Sequence, residues 1–404
     1  MKDLRRILLV CVAVALLNVS SAWAFHMCPF CPSASSTLTR DAADAQLIVA
    51  GTLTNAKFDP NATFQGTTEL VIENIVKDHA YLNNKKSIVL ERYLPLEKDK
   101  PTKYLIFGDV FNGKLDAYRG VPLSKDSKID VYLKGALEIK DKDASTRLSY
   151  FFKFLDATEV DVSQDAFMEF AASDYKDYRH LAEKLSPESI AKWLQDEGTP
   201  VSRFGLYGSM LGHCGKTEHA DVLRRILEDK DKRLLSGVDG ILAGYIMLRP
   251  KEGWEYLRRT LSEKEKDFMQ RYAALRTARF FWEFRPDVIS QKEVITAATL
   301  LIEQDDIADL AIEDLRKWEA WHLTDQILGL FDRKSHDVPI IRRAIMRFAL
   351  SSAKNNSKSA EFVTAMRKKE ADWVKDIEEL LLLESTPKPA PAPKSKSPEK
   401  PLTK

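Results

Sequence analysis

Residues 201–215 read Val201-Ser202-Arg203-Phe204-Gly205-Leu206-Tyr207-Gly208-Ser209-Met210-Leu211-Gly212-His213-Cys214-Gly215. Large apolar side chains recur in this segment at the spacing of an α-helix, with glycine and serine between them. Small side chains let the axes of two helices come close together. The segment therefore predicts a helix that packs tightly against a neighbouring helix.

The same helical period continues on both sides of this segment, from about Asp165 to Leu383. Successive pairs of apolar segments occupy the length of helical-hairpin repeats, and Gly or Pro separates many of the members. We predict helices over 201–213, 217–227, 234–248, 253–261, 267–284, 288–303, 306–318, 321–331, 339–351 and 360–383.

This pattern resembles HEAT-like α-helical repeats over residues 160–384. The resemblance implies helix pairs stacked into a solenoid with one continuous core and an extended surface for a partner. The lengths of the segments are irregular, and the Asp/Arg ladder of regular HEAT arrays is absent from the pattern. A non-repeating all-helical domain is the alternative.

Residues 25–155 form a region with the features of a β-rich domain. We predict strands over 46–53, 67–76, 87–90 and 103–107, and a helix over 36–45 that Thr37 or Thr39 caps. Asn112-Gly113 predicts a hairpin, because type I′ turns need positive φ at both central residues. Short strands at this spacing indicate a small antiparallel barrel or sandwich.

The order of features after the predicted signal-peptide cleavage site at Ala24 resembles the opening of netrin/TIMP-like domains. Cys28 and Cys31 come first, and a helical segment and then Ala43 to Leu53 follow. The resemblance implies an OB-like antiparallel β-barrel, so the predicted fold class is α+β with two domains. It also offers an alternative function, inhibition of a secreted protease. In inhibitory members the first cysteine is the N-terminal residue of the mature protein, and the spacing of the cysteines is CxC. In this chain Cys28 is expected to be the fourth residue after signal cleavage, and Cys28 and Cys31 have a CxxC spacing.

The two ends of the chain have the composition of a signal and a tail. Residues 1–24 combine a basic start, an apolar run and Ala22-Trp23-Ala24, which together predict a cleaved signal peptide. Residues 385–404 predict a disordered Pro/Lys-rich tail. We therefore expect a secreted or periplasmic protein with no transmembrane segment after signal cleavage.

The charge balance bears on the class of partner. Of the formal net charge of +1, residues 1–24 contribute +2 and residues 386–404 contribute +4, which leaves −5 for residues 25–385. Nucleic-acid binding needs a concentrated basic surface. The composition therefore favours a protein or a cell-envelope polymer as the partner, with no nucleic acid; it does not predict an oligomeric state.

The sharpest local motif is Cys28-Pro29-Phe30-Cys31. An oxidising compartment favours a disulfide between Cys28 and Cys31, and a thiol-redox centre is an alternative reading of the same pair. A further alternative is a metal site with His26, Cys28 and Cys31 as ligands, completed by His213, Cys214 or His219. Our principal prediction is that the protein binds no cofactor and no metal.

Three pairs of arginines fall at similar phases of successive predicted helices and are candidates for a binding surface: Arg224, Arg225, Arg258, Arg259, Arg342 and Arg343. Cys214 is expected to pack in a core or turn, with a nucleophilic role as the alternative. Phe280, Phe281, Trp282, Trp318 and Trp321 are expected mainly in the core. No complete catalytic motif is present, so the leading hypothesis is a non-enzymatic binding or scaffold protein that presents a helical-repeat surface.

Overall fold

The computed structural model describes residues 37–96, 101–229, 231 and 236–385. Within these residues it has an α+β fold, in which a five-stranded antiparallel sheet precedes most of seventeen α-helices. The chain divides into two compact units between Leu206 and Tyr207. The predicted fold class is thus confirmed at the level of α+β.

The first unit contains the sheet and the helices around it. Its elements are α1 (Leu38–Asp44), β1 (Leu47–Phe58), β2 (Gly66–Lys77), β3 (Ser87–Leu90), β4 (Lys103–Phe111), β5 (Lys114–Leu123), α2 (Ile129–Ile139), α3 (Ala144–Phe152), α4 (Val160–Ala171), α5 (Tyr175–Ala182) and α6 (Pro187–Gln195). Helices thus begin at Ile129, earlier than the change of period near Asp165 predicts. Ile129, Tyr132, Leu133 and Ala136 are the buried residues of α2 and have helical spacing.

The second unit is helical, and its first helix begins just before the boundary. Its elements are α7 (Phe204–Cys214), α8 (Ala220–Glu228), α9 (Val238–Leu248), α10 (Pro250–Ser262), α11 (Phe268–Phe284), α12 (Gln291–Ala298), α13 (Ala308–Lys317), α14 (Thr324–Leu328), α15 (Pro339–Ser352), α16 (Ser357–Lys369) and α17 (Ala371–Ser385). The predicted helix over 360–383 is two helices, because the backbone of Glu370 (φ −140°, ψ 60°) leaves the helical region.

The strand order of the sheet is β3-β2-β1-β4-β5. Consequently β3 and β5 are the two edge strands, and among the described residues no ladder joins them. The prediction of a closed β-barrel is therefore wrong for this sheet, which is open at the place where pairing of β3 with β5 would close it. Barrel closure needs that last ladder, and the pattern of the individual strands does not determine it.

The hairpin between β4 and β5 has the predicted turn. Asn112 (φ 52°) and Gly113 (φ 76°) both have positive φ, as a type I′ turn requires. A register shift between Phe107 and Gly108 leaves Tyr118 of β5 without an opposite residue, because Arg119 pairs with Phe107 and Ala117 with Gly108. This bulge turns the edge strand locally.

The two faces of the sheet bury different apolar residues. One face, here called the inner face, carries a cluster of Leu47, Val49, Leu53, Leu70, Leu82, Ile88, Leu90 and Ile106. The alternate residues of β1 and β4, which include Ile48 and Phe107, are buried on the other face.

On β2, Lys77 Nζ donates to the carbonyl oxygens of Ala42 and Ala43 at the end of α1.

Helix pairs of the second unit pack on their neighbours in two series. In the first series α7 contacts α9, α9 contacts α11, α11 contacts α13 and α13 contacts α15. In the second series α8 contacts α10 and α10 contacts α12, and α14 contacts α16. In the first series each helix from α7 to α13 therefore lies beside the next member of that series.

Buried aspartates link helices of the first series to arginines. Asp239 of α9 forms an ion pair with Arg276 of α11 at 2.7 Å, and Asp314 of α13 forms one with Arg279 of α11, also at 2.7 Å. Both aspartates are almost fully buried. The sequence pattern showed no Asp/Arg ladder, because the partners lie 35 or more residues apart in the chain. The structure contains two such pairs, and both involve arginines of α11.

Arg271 at the start of α11 is a third buried charge. Its guanidinium donates to Gln304 Oε1 at 2.6 Å and to Lys266 O at 3.0 Å, and it forms a bidentate ion pair with Asp306. Gln304 in turn donates to Leu261 O at 2.7 Å. Through these bonds Arg271 links the start of α11 to Gln304 and Asp306, which follow α12 in the chain.

We expect Arg271→Met to lower the free energy of unfolding by about 2 to 4 kcal/mol, since it leaves the buried Gln304 Oε1 without its donor and Asp306 without its cation. The hydrogen bonds from Arg271 hold the pKa of Asp306 below its ordinary value. A depressed carboxyl pKa stabilises the fold above the unfolded pKa, and this contribution is lost as the pH falls through the folded pKa.

Urea unfolding at neutral pH and at successively lower pH measures both effects. The difference between wild type and Arg271→Met should shrink as the pH falls below about 4, the ordinary range of an aspartate. Arg258→Met is the matched control, because Arg258 is half exposed and pairs with Glu255 of its own helix. An equal loss in both variants would contradict the role of Arg271.

Candidate binding cleft

The inner face of the sheet opens into a cleft of about 690 Å³. One wall comes from the end of β3 and the segment after it, and the opposite wall comes from β5. The residues that line it are Phe64, Leu90, Glu91, Arg92, Leu94, Tyr104, Ile106, Leu115, Asp116, Ala117, Tyr118, Arg119 and Gly120. The cleft therefore lies in the gap between the two edge strands of the open sheet, and its size is within the range of ligand-binding pockets.

The order of the lining residues shows which part of each strand faces the cleft. Side chains of a strand alternate between its two faces, so a cleft above one face touches every second residue. Here all six consecutive residues from Leu115 to Gly120 line the cleft, and so do the three from Leu90 to Arg92. The cleft thus runs along the edges of the strands, where the main-chain groups of an edge strand are exposed.

The floor of the cleft is apolar and contains one notable small residue. Ile106 and Tyr104 of β4 lie beside Gly120 of β5, and a Cβ at position 120 would lie 3.3 Å from a side-chain carbon of each. Gly120 is exposed although its neighbours Ile106 and Val121 are buried. A larger residue here would occupy the floor of the cleft, so glycine keeps this space open.

Charged side chains surround the apolar floor. Arg92 is exposed, and its guanidinium lies 5.0 Å from the centre of the Phe64 ring. The guanidinium of Arg119, in contrast, lies on the other face of the sheet, where it forms an ion pair with Asp41 of α1 and lies 5.5 Å from the centre of the Phe107 ring. Glu91 and Asp116 add two carboxylates. The cleft therefore combines an apolar floor with a rim of both signs of charge.

Tyr118, the bulged residue of β5, is also a lining residue, and its phenol lies near Asp109 and Asp44. Burial raises its pKa, and the carboxylates of Asp109 and Asp44 raise it further. The phenol is therefore neutral at physiological pH and is both a donor and an acceptor of hydrogen bonds. Aromatic, aliphatic and charged groups of this kind hold a ligand by contact and by hydrogen bonding.

The candidate arginines of the second unit differ in their surroundings. Arg224, Arg225, Arg258 and Arg259 are exposed on α8 and α10, two helices that Tyr256 links through a hydrogen bond to Leu227 O. Arg224 pairs with Asp221 and Arg258 with Glu255 on the same helix. These four side chains lie on neighbouring helices, and their role in binding stays a prediction.

The third pair of candidate arginines is divided between two roles. Arg343 is exposed, whereas Arg342 lies 4.0 Å from the centre of the Phe331 ring and forms ion pairs with Asp337 and Glu370. These contacts hold Arg342 against the segments on either side of α15. Its side chain is therefore engaged within the fold.

The predicted cysteine site falls outside the described residues. His26, Cys28 and Cys31 precede residue 37, so the disulfide, redox and metal hypotheses for them stay predictions. Cys214 is half-buried at the end of α7, where its Sγ donates to Met210 O at 3.3 Å. Within the described part of the chain, no group of three or more His, Cys, Asp or Glu side chains is arranged to hold a metal ion.

The predicted aromatic residues divide between core and surface. Phe280 and Phe281 are buried, as expected. Trp282 and Trp318 are half-buried and stack on each other with ring centres 4.7 Å apart, and Trp321 packs against Phe348. These ring contacts join neighbouring parts of the helical unit.

Sequence reasoning did not find the cleft. Tyr104, Leu115 and Ala117 could be placed on one face from the alternation in the β4–β5 hairpin. The opposite wall comes from residues that follow β3, and nothing in the local pattern shows that β3 and β5 are the two edges. Only the strand order, which the tertiary structure provides, shows that β3 and β5 are the edge strands.

Of the described helices, none is long and apolar enough to cross a membrane. Comparison of the chain with protein-family models, with curated proteins and with solved structures gave no significant match. The site is therefore interpreted from its own geometry.

Proposed function

We propose that this chain is a non-enzymatic binding protein that holds a protein partner in the cleft between β3 and β5. The observation that carries the proposal is the cleft itself, about 690 Å³ with an apolar floor and charged walls. Such a combination gives affinity through apolar contact and orientation through the polar rim.

The helical unit supports the same class of function. We propose that its helix pairs form a HEAT-like solenoid, a geometry that offers an extended surface to a large partner. The four exposed arginines of α8 and α10 would be part of this second contact surface. Because paired charges on one helix are largely solvated, we assign the main contribution to the cleft.

We also propose that the protein acts outside the cytoplasm, either secreted or in the periplasm. The basic start, apolar run and Ala22-Trp23-Ala24 of residues 1–24 support this location. The partner would then be a protein of the cell envelope or of the extracellular space.

Gly120→Val is expected to reduce capture of the partner about tenfold, since a branched side chain would fill the floor beside Tyr104 and Ile106. The measurement is quantitative affinity capture from the native envelope with the full chain, followed by dose–response analysis of each captured protein. Ala56→Val on β1 is the matched control, because it enlarges a strand residue of the same unit that does not line the cleft.

Circular dichroism and the thermal midpoint show that both variants are folded. Equal capture of the same partner by wild type, Gly120→Val and Ala56→Val would refute the cleft as the binding site. Capture of no specific protein by the wild type would refute the proposed function as a whole.

A further inference from the structure

We propose that Asn61 is a glycosylation site, at which the side-chain amide accepts an oligosaccharide outside the cytoplasm. The proposal goes beyond the binding function and rests on the extracytoplasmic location proposed above. Asn61-Ala62-Thr63 has the acceptor pattern Asn-x-Ser/Thr, in which the middle residue is not proline. Because this pattern is short and common, the surroundings of the triplet in the fold are decisive.

The triplet lies in the loop between β1 and β2. The first strand ends at Phe58, the second begins at Gly66, and a hydrogen bond from Asp59 N to Gln65 O at 2.8 Å closes the base of the loop. Glycan acceptors of exported proteins lie in surface loops of this kind, where a bulky group displaces no packed side chain.

Both groups that the modification requires are accessible. Asn61 and Thr63 are exposed, and only Ala62 between them is half-buried. The main-chain N–H of Asn61 donates to Asp59 Oδ1 at 2.9 Å, which leaves its side chain unused. Within the described part of the chain, neither the Asn61 carboxamide nor the Thr63 hydroxyl has a hydrogen-bond partner. Both side chains are therefore available to the active site of a transferase.

A second triplet, Asn355-Asn356-Ser357, has the same pattern in different surroundings. There the middle residue caps α16, since Asn356 Oδ1 accepts from Ser359 N at 3.2 Å, and Ser357 is the first residue of that helix. A transferase that takes up this triplet must open the cap, which costs about 1 kcal/mol. In the folded chain we therefore expect modification at Asn61 in preference to Asn355.

The surface beside the triplet benefits from a hydrophilic group. Phe58 and Phe64 flank the triplet and are 58% and 53% exposed. Exposed apolar side chains so close together favour self-association, and an oligosaccharide between them shields them from other copies. Phe64 lines the cleft, whereas the three residues of the triplet do not. The glycan would thus stand beside the cleft and leave its floor open.

The reaction is a group transfer from an oligosaccharide carried on a polyprenyl pyrophosphate. A bond forms between Asn61 Nδ2 and the anomeric carbon of the first sugar, and the bond from that carbon to the pyrophosphate oxygen breaks. The amide gives up one proton, and polyprenyl pyrophosphate leaves with the bonding electrons. The transfer needs no oxidant or reductant.

The first test is peptide mapping by mass spectrometry of the full chain purified from its native envelope. We expect the peptide that contains Asn61 to carry the mass of a whole oligosaccharide. The Asn355 peptide of the same sample is the internal comparison, and we expect it to be less modified.

The second test uses the folded full chain produced without glycan, a purified oligosaccharyltransferase and a fluorescent polyprenyl-pyrophosphate oligosaccharide. Thr63→Val removes the hydroxyl at nearly equal size, and Thr63→Ser keeps it. Because a site that binds a hydroxyl rejects an analogue without one, Thr63→Val should be labelled at least about tenfold less than wild type, and Thr63→Ser should be labelled normally. Circular dichroism shows that both variants are folded.

An Asn61 peptide of unmodified mass in the protein from the envelope would overturn the proposal. Equal labelling of Thr63→Val and wild type would also overturn it, since the sugar would then be attached elsewhere. Recovery of the chain from the cytoplasm alone would refute the proposed location and the glycan with it. Partner capture is measured separately with Asn61→Gln, which leaves the lining of the cleft intact, so failure of the binding function is distinguishable from absence of the glycan.

Discussion

Gly244→Ala should destabilise the helical unit by about 3 kcal/mol or more, the upper part of the range for overpacked sites. Gly244 lies in α9, where a Cβ would come within 2.1 Å of the carbonyl oxygen of Gly208 in α7. A main-chain atom at that distance has no rotamer through which to move away. The two helices would have to separate, and the buried side chains around them would lose contact.

The glycines of α7 show the same close approach of the two helices. A Cβ at Gly208 would lie 2.7 Å from Ile241 Cα, and one at Gly212 would lie 2.6 Å from Gly244 Cα. The close approach therefore extends over a full turn of each helix. It confirms that the small residues of 201–215 allow α7 to pack tightly against another helix.

The measurement is chemical unfolding of wild type and Gly244→Ala, monitored by circular dichroism and by hydrogen exchange of α7 and α9. Gly329→Ala is the matched control, because Gly329 is exposed and a Cβ there would meet only the preceding turn of its own helix, at 3.1 Å. Alanine favours helices over glycine, so the control should change stability by less than about 1 kcal/mol. A stability of Gly244→Ala equal to that of the control would show that the helices do not approach closely.

Asp165→Ala is expected to cost about 3 to 5 kcal/mol, because several buried donors lose their acceptor together. Asp165 of α4 is 4% exposed. Its carboxylate accepts hydrogen bonds from the main-chain N–H of Leu38, from the N–H and hydroxyl of Thr39, and from the Tyr132 hydroxyl at 2.8 Å. One side chain thus holds the start of α1 and the first turn of α2.

The effect should be strongest at α1, since Asp165 accepts from the main-chain N–H groups of both Leu38 and Thr39. Thr37 caps α1 by accepting a hydrogen bond from Arg40 N at 3.0 Å, and its own hydroxyl donates to Glu169. In Asp165→Ala the amide of Ala45, which bonds to Asp41 O in the native helix, should exchange faster with solvent.

Gln164→Ala is the control on the same helix, because Gln164 is exposed. Urea unfolding gives the loss of stability, and hydrogen exchange shows whether α1 opens before the rest of the first unit. Unchanged exchange in α1 of Asp165→Ala would mean that Asp165 does not anchor this helix.

Several local features follow directly from the sequence. The α+β class, the strand over Ser87–Leu90 and the turn at Asn112-Gly113 need only local periodicity and backbone preferences. A threonine cap at Thr37 or Thr39 follows from the ability of a hydroxyl to accept the free N–H of a first helical turn, and the structure has Thr37 in this position. The helix α2 was missed although the signal was present, since its buried residues have helical spacing.

Features that depend on distant parts of the chain needed the tertiary structure. Arg271 and Asp306 are 35 residues apart, and Asp165 lies 126 residues from Thr39, so no local pattern indicates that they meet. The openness of the sheet is of the same kind. Whether β3 pairs with β5 depends on the curvature and register of the whole sheet, which are sums over all strands.

The sequence by itself determined the types of most elements and placed small residues at 208, 212 and 244, because backbone preference and side-chain volume are properties of single residues. Only the tertiary structure decided which helices those glycines bring together, which buried charges become paired, and that a cleft remains between β3 and β5. The physical reason is that burial and electrostatic partners are properties of the assembled chain, since each depends on groups brought close by folding alone.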